Sequence, residues 1–118
     1  MFTESEMDRV FSALSHTSRR AMLDLILERP GLRVGELAAN FDVTRIAVMN
    51  HLKILEEARL VISEKDGRSR RLYMNALPIQ AIYERWTDTF SAHWLDRMSF
   101  IKSVAEAAAQ TAERGSDE

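Results

Sequence analysis

The stretch from Asp42 to Asn75 restricts the fold of this chain more than any other. Thr44 stands immediately ahead of Arg45-Ile46-Ala47-Val48-Met49-Asn50-His51-Leu52-Lys53-Ile54-Leu55-Glu56-Glu57-Ala58. Its hydroxyl can accept from a free backbone N–H of a first helical turn. Val48, Leu52, Leu55 and Ala58 recur at helical spacing and form an inward face. Arg45, Ile46, Ala47, Asn50 and Lys53 lie away from that stripe. They are polar, small or basic, the residue types that meet base edges and phosphates.

After this helix come two short β-like runs, Leu60 to Lys65 and Arg71 to Asn75, around Asp66-Gly67-Arg68-Ser69-Arg70. Asp-Gly between such runs is a strong hairpin signal. Leu72 and Met74 alternate with Arg71 and Tyr73, as in a strand with one buried face. Lys65, Arg68, Arg70 and Arg71 concentrate positive charge at the turn. A helix followed by a basic hairpin is the plan of a winged helix-turn-helix.

Asn50-His51-Leu52-Lys53-Ile54-Leu55-Glu56-Glu57-Ala58-Arg59-Leu60-Val61 resembles the S-R-H-L-x-x-L-x-x-A-G-L-V signature of the arsenic-responsive repressor (ArsR) family. Phe11-Ser12-Ala13-Leu14-Ser15-His16-Thr17-Ser18-Arg19-Arg20 is similar to that family's L-A-D-P-T-R-R opening. Glu36-Leu37-Ala38 matches its E-L-A helix, and Gly67-Arg68 with Tyr73 matches its wing. The likeness spans residues 5–80. Arg59 stands where the family has glycine, so the helix must end without one. Met49 and Asn50 replace the usual Ser-Arg pair, which bears on base specificity and not on the fold. The resemblance implies a dimer built from the first and last helices. It also implies a repressor of its own operon. In metal sensors of the family, cysteines often follow the E-L of the third helix. Here those positions are Ala38, Ala39 and Asn40.

The chain has 118 residues and no cysteine. That length suits one domain, 1–118, with one modest core. The lack of cysteine excludes thiolate metal sites and thiol redox sensing and fits a cytoplasmic protein. No apolar run approaches the roughly 18 residues of a membrane span, so no membrane partner is expected. Glu4, Glu6 and Asp8 break any signal-peptide pattern at the start. The net charge of −2 hides an uneven distribution. Residues 1–43 carry −2, residues 44–75 carry +3 and residues 76–118 carry −3. The one positive segment is the one expected to face DNA.

Elsewhere, Met7, Val10, Phe11 and Leu14 mark a first helix over about 5–14. A second is expected from Thr17 or Ser18 to Arg29, buried through Met22, Leu25, Ile26 and Leu23, with Pro30-Gly31 as its stop. A third covers 35–41 and a turn leads to the helix at 44–58. His16 reads as a loop residue beside a cap and not as a ligand. His51 either donates a ring N–H to a phosphate, where the resemblance places it, or packs half-buried. Pro78 suits the first turn of a terminal helix over about 78–109. There Ile79, Ile82, Tyr83, Trp86, Phe90, Trp94, Met98 and Ile101 form a stripe. About 30 helical residues extend roughly 45 Å, against a radius of gyration of about 13–14 Å for a domain this size. Such a helix either breaks in two or is covered by a partner; a cofactor pocket is the weaker alternative. Met7 and Phe11 join the stripe as expected dimer contacts. The polar tail from Gln110 is expected to be disordered. Asp88, His93 and Asp96 do not reproduce the spacing of the family's carboxylate-histidine site, so no metal and no cofactor is expected.

These features predict a mainly α fold with a small β-hairpin and a long terminal dimerisation helix. The expected function is a dimeric, sequence-specific DNA-binding repressor. Its DNA contacts would be Thr44, Arg45, Ile46, Ala47, Asn50, His51 and Lys53 on the reading helix and Lys65, Arg68, Arg70 and Arg71 on the wing. Its partner would be double-stranded DNA with an imperfect palindrome. The effector is left open between a small organic molecule, a protein and none. The other reading is a winged-helix protein-interaction module with DNA secondary, for which the basic wing has no use. No nucleophile-base pattern and no glycine-rich phosphate loop supports an enzyme.

Overall fold

A computed structural model describes residues 2–87 and 92–116, with no side-chain description for 92–96 and 113–116. By its internal contacts the chain divides into two compact units, 1–82 and 83–118.

The first unit opens with α1 (Glu4–Leu14) and α2 (Thr17–Glu28). Thr3 caps α1 by accepting the Glu6 N–H at 3.0 Å, and Glu4 and Glu6 place negative charge at its positive end. Met7, Val10 and Ala13 are the buried residues of α1; of the four read from the sequence, Met7 and Val10 are buried, Leu14 is half-buried and Phe11 is exposed. Strand β1 (Leu32–Arg33) follows, then α3 (Val34–Ala39) and α4 (Arg45–Glu57). Strands β2 (Val61–Asp66) and β3 (Ser69–Met74) complete an antiparallel sheet in the order β1-β3-β2. Helix α5 (Leu77–Thr87) starts with Pro78 in its first turn. Met22, Ile26, Leu37, Leu52, Leu55, Leu60 and Leu72 are the large side chains at the centre of the core.

The expected two-stranded hairpin is therefore a three-stranded sheet. Strand β1 has two residues, too few to show alternation. It pairs Leu32 with Leu72 and Arg33 with Arg71. Gly31 admits it: with φ at +86°, its N–H reaches the Leu72 carbonyl at 2.9 Å. The hairpin closes as Asp66 pairs with Ser69, leaving Gly67-Arg68 as a two-residue loop. Positive φ falls on Gly67 alone of these two, the pattern of a type II′ turn.

The end of α4 shows how the missing glycine is accommodated. Arg59 takes φ +63°, the one positive value outside glycine among the described residues. The Arg59 N–H reaches the Glu56 carbonyl and the Leu60 N–H reaches the Leu55 carbonyl, both at 2.9 Å. Those two bonds are the Schellman closure. Asn75 braces it from the last strand: its Nδ2 donates to the Arg59 carbonyl and its backbone N–H to the Leu60 carbonyl, each at 2.8 Å.

In the second unit, α6 (Ala92–Ser116) has 25 residues. Every side chain from Arg97 to Ala112 is exposed. The expectation of a disordered tail from Gln110 is not met through Ser116, because the alanine-rich run Ala107-Ala108-Ala109 sustains the helix.

Left-handed backbone is strained for a residue with a Cβ. Arg59→Gly is thus expected to raise stability by about 1 kcal/mol, read as a higher urea midpoint at unchanged slope. An unchanged or lower midpoint would contradict the strain at this helix end.

Candidate nucleic-acid interface

The reading helix α4 presents its N-terminal turns to solvent. Thr44 caps it by accepting the Ala47 N–H at 3.1 Å. Val48, Leu52 and Leu55 are its buried face, as the periodicity required. Thr44, Arg45, Asn50 and Lys53 are exposed, Ala47 is half-buried and Ile46 is 75% exposed.

His51 is half-buried, at the junction of α4 with the two first helices. Arg19 of α2 organises that junction. Its Nε donates to the Ala13 carbonyl at 2.8 Å and its Nη2 to the Ser12 carbonyl at 3.1 Å. Its Nη1 lies 3.2 Å from His51 Nδ1. Arg20 adds a bond to the Leu14 carbonyl at 2.6 Å. The two arginines thus take up the Ala13 and Leu14 carbonyls at the end of α1 and share the Ser12 carbonyl with the backbone N–H and hydroxyl of the cap residue Ser15. His16 caps α2, accepting the Ser18 N–H on Nδ1 at 3.2 Å. Its ring centroid lies 4.7 Å from that of His51. Burial lowers the His51 pKa below 6.5, and the positive charges of His16 and Arg19 add to that.

The wing separates its four cations into two kinds. Lys65 and Arg68 are exposed and make no ion pair among the described residues. Arg70 donates to Glu56 Oε1 at 2.9 Å and to Ser63 Oγ at 3.2 Å, which ties the wing to the end of the reading helix. Arg71 donates to Asp66 Oδ2 at 2.7 Å and to the Gly31 carbonyl at 3.1 Å. Arg33 joins the same carboxylate oxygen at 2.9 Å. The hydrogen bond from Arg71, then the nearby Arg33 charge, hold the Asp66 carboxyl below its usual 3.8. Arg70 and Arg71 are therefore internal braces in this state, and Lys65 and Arg68 are the unengaged charges.

The proposed dimer contacts also differ among themselves. Met7 is 6% exposed and packs within its own chain, whereas Phe11 on the next face is 47% exposed. In the second unit Tyr83, Trp86, Met98 and Ile101 are exposed, as are Phe100 and Val104, which the stripe did not include. Phe90 and Asp88 lie outside the described residues, as do the side chains of His93, Trp94 and Asp96. Among the described residues no cluster of three His, Cys, Asp or Glu could hold a metal, and no helix is long and apolar enough to cross a membrane.

Residues 16–63 match the sequence profile of the bacterial regulatory proteins of the arsR family. The HTH-type transcriptional regulator YuzN of Bacillus subtilis (strain 168) is 34% identical over 87 residues, 69% of this chain and 95% of that protein. The transcriptional repressor SdpR of the same organism is 30% identical over 74 residues, 63% of this chain and 81% of that one. The solved structure of an ArsR-like transcriptional regulator from Rhodococcus sp. RHA1 superposes with a TM-score of 0.65 at 30% identity, covering 89% of this chain and 97% of that one. The chain belongs to the ArsR family.

It is thus a DNA-binding transcriptional regulator with a winged helix-turn-helix, in a family whose members are not enzymes and commonly act as dimers. As an ArsR protein it has no thiolate site, since Ala38, Ala39 and Asn40 follow the Glu36-Leu37 of α3. The matched segment contains Arg19 and His51, the two groups that join α2 to the reading helix.

The lowered His51 pKa fixes a pH dependence. Below about pH 6.5 the unfolded chain takes up a proton that the folded chain resists. Stability from this group is complete above 6.5 and is lost as pH falls toward the folded value. The urea midpoint of the wild type should drop between about pH 7.5 and 5.5, and that of His51→Asn should drop less. Equal drops would assign the effect to other groups.

Proposed function

We propose that this regulator is a homodimeric repressor that binds an imperfect palindrome and controls its own operon. The observation that carries the reading is the head of α4. Arg45, Ile46 and Asn50 stand there exposed, with no partner among the described residues, and Lys65 and Arg68 of the wing are likewise unpaired among them. Arg45 pairs with a guanine edge, Asn50 reads an adenine edge or a phosphate, and Ile46 or Ala47 touches a thymine methyl. Thr44, Lys53 and the ring N–H of His51 meet phosphates. Arg68 and Lys65 hold the flanking backbone. Arg70 and Arg71 keep the wing in position through ion pairs, the first partly buried and the second exposed, that a phosphate can replace. The family name of SdpR as a repressor supports the sign of regulation.

The two units act together as one regulator, 1–118, with residues 83–118 serving dimerisation. Support comes from α6, whose Met98, Phe100, Ile101 and Val104 are exposed within their own chain. Phe11 of the first unit and Tyr83 and Trp86 of the second are likewise exposed, and Phe90 and Trp94 are assigned to the interface by their place in the stripe. Two-fold pairing would set the reading helices about 34–36 Å apart, one turn of DNA. With no thiol to bind a soft metal, any effector would be a small organic molecule or a protein, and a regulator with no effector stays open beside them. The basic, unpaired head of α4 and wing favour this reading over a protein-interaction module.

Fluorescence anisotropy against the DNA upstream of the gene, with a scrambled control, tests the reading. Arg45→Ala should cost about 1–3 kcal/mol on the preferred fragment and narrow its advantage over the control. Arg68→Ala should weaken both DNAs alike and lower the salt slope by about one phosphate contact. Binding unaltered by either change would sink the interface assigned here. Sedimentation tests the dimer separately: Met98→Asp with Ile101→Asp should yield monomers, and a persistent dimer would remove α6 from the interface.

A further inference from the structure

His16 caps α2 and His51 lies within α4, yet their rings meet with centroids 4.7 Å apart at a 51° tilt. Each ring has one nitrogen already committed. The Ser18 backbone N–H points at His16 Nδ1 at 3.2 Å. The Arg19 guanidinium lies 3.2 Å from His51 Nδ1. A backbone N–H and a guanidinium can only donate, so both Nδ1 atoms accept. Each neutral ring therefore carries its proton on Nε2.

Neither Nε2 has a partner among the described residues. His16 is exposed. His51 is half-buried, but among the described residues no buried side-chain nitrogen or oxygen lacks a partner, so its Nε2 is open to solvent. The corner is also short of negative charge. Arg19 is 9% exposed and has no carboxylate in ion-pair range among the described residues. Arg20 spans the same turn, from the Leu14 carbonyl to the Thr17 hydroxyl. Asp8, Arg9 and Glu57 line a depression on the α1 side of Arg19, and neither acid pairs with it. The electrostatic influences on His51 come from His16 and Arg19 and from no acid. Two Nε2–H donors near a guanidinium that no carboxylate pairs among the described residues suit a tetrahedral oxyanion.

We propose that His16 and His51 together grip one phosphate of the DNA backbone, with Ser18 and Arg19 as positioning groups that fix both rings with Nε2–H outward. His51 sits on the reading helix beside Asn50, so a strand lying along that helix passes this corner. The proposal rests on the DNA-binding reading above and adds His16, which belongs to none of the contacts read from the sequence.

Asparagine and glutamine separate the two nitrogens of each ring. Asparagine keeps an acceptor near the Nδ1 position and has nothing at Nε2. Glutamine places an N–H donor near the Nε2 position. His16→Asn and His51→Asn should each weaken DNA binding about tenfold, on all sequences alike. His16→Gln and His51→Gln should stay within about threefold of wild type. The salt slope should be unchanged in all four, because a neutral donor releases no counterion. The proposal is overturned if the asparagine variants bind like wild type, if folded glutamine variants lose as much as asparagine, or if the salt slope falls by about one. Nitrogen-15 NMR of the imidazoles in the DNA-free protein is an independent check: Nε2–H is expected in both rings, and Nδ1–H in either ring refutes it. A response of the Nε2 signals to inorganic phosphate without one to duplex would assign the site to a free anion and also refute it. Should the wild type prefer no DNA at all, the regulator reading fails first, and that outcome is distinct from binding that ignores the histidines.

Discussion

The DNA-facing half of the molecule depends on one guanidinium. Arg19 reaches the last carbonyls of α1 and the ring of His51 on α4, so a single rigid group spans three helices. A buried positive charge is costly unless its donors are satisfied. Here the negative end of α1 offsets part of that cost, since the helix dipole places partial negative charge on those carbonyls. Lysine could not substitute. Its compact ammonium lacks the planar fork that serves two backbone carbonyls and an imidazole in divergent directions. The seating of the reading helix against α1 and α2 therefore involves Arg19 as well as hydrophobic packing.

This joint was invisible in the sequence, and the reason is distance along the chain. Arg19 and His51 are 32 residues apart. Periodicity sees one element at a time, and no local rule pairs a side chain in one helix with a ring in another. What local rules do capture came out well. Thr44 caps α4, Val48, Leu52 and Leu55 face the core, and Asp66-Gly67 turns the hairpin. The failures share the opposite property. Strand β1 is too short to alternate, and it exists because Leu72 and Arg71 supply a neighbour 38 or more residues later. Arg70 and Arg71 looked equivalent to Arg68 as charges in a row. The sheet register gives them separate partners, Glu56 and Asp66, and leaves Arg68 with none. His16 looked like an idle cap residue because its neighbour in space comes from the reading helix.

The wing shows how a cluster of like charges is kept ordered. Four cations near one turn repel one another, and disorder would relieve the repulsion. Asp66 sits at the strand end and accepts from both Arg33 and Arg71, so three strands share one carboxylate. Glu56 draws Arg70 toward the end of α4. The two bonds to Asp66 are solvent-exposed and individually weak, and that of Arg70 to Glu56 is partly buried. Their effect is positional: they hold the loop so that Arg68 and Lys65 project from a defined surface and not from a floppy ribbon.

A DNA-binding chain of net charge −2 has to solve a problem of discrimination. If all its surface were basic, counterion release alone would bind it to any sequence and dilute it over the genome. This chain keeps its positive excess in residues 44–75 and is acidic on either side. Misdocked orientations then bring carboxylates toward phosphates and are repelled. On the reading proposed above, the head of α4 and the wing make the approach, and Arg45, Ile46 and Asn50 would meet base edges. The same logic favours a dimer. One such small surface gains few phosphate contacts, whereas two surfaces held at a fixed spacing add their contacts with the entropy of the second largely prepaid. The exposed apolar face of α6 is where that spacing would be set.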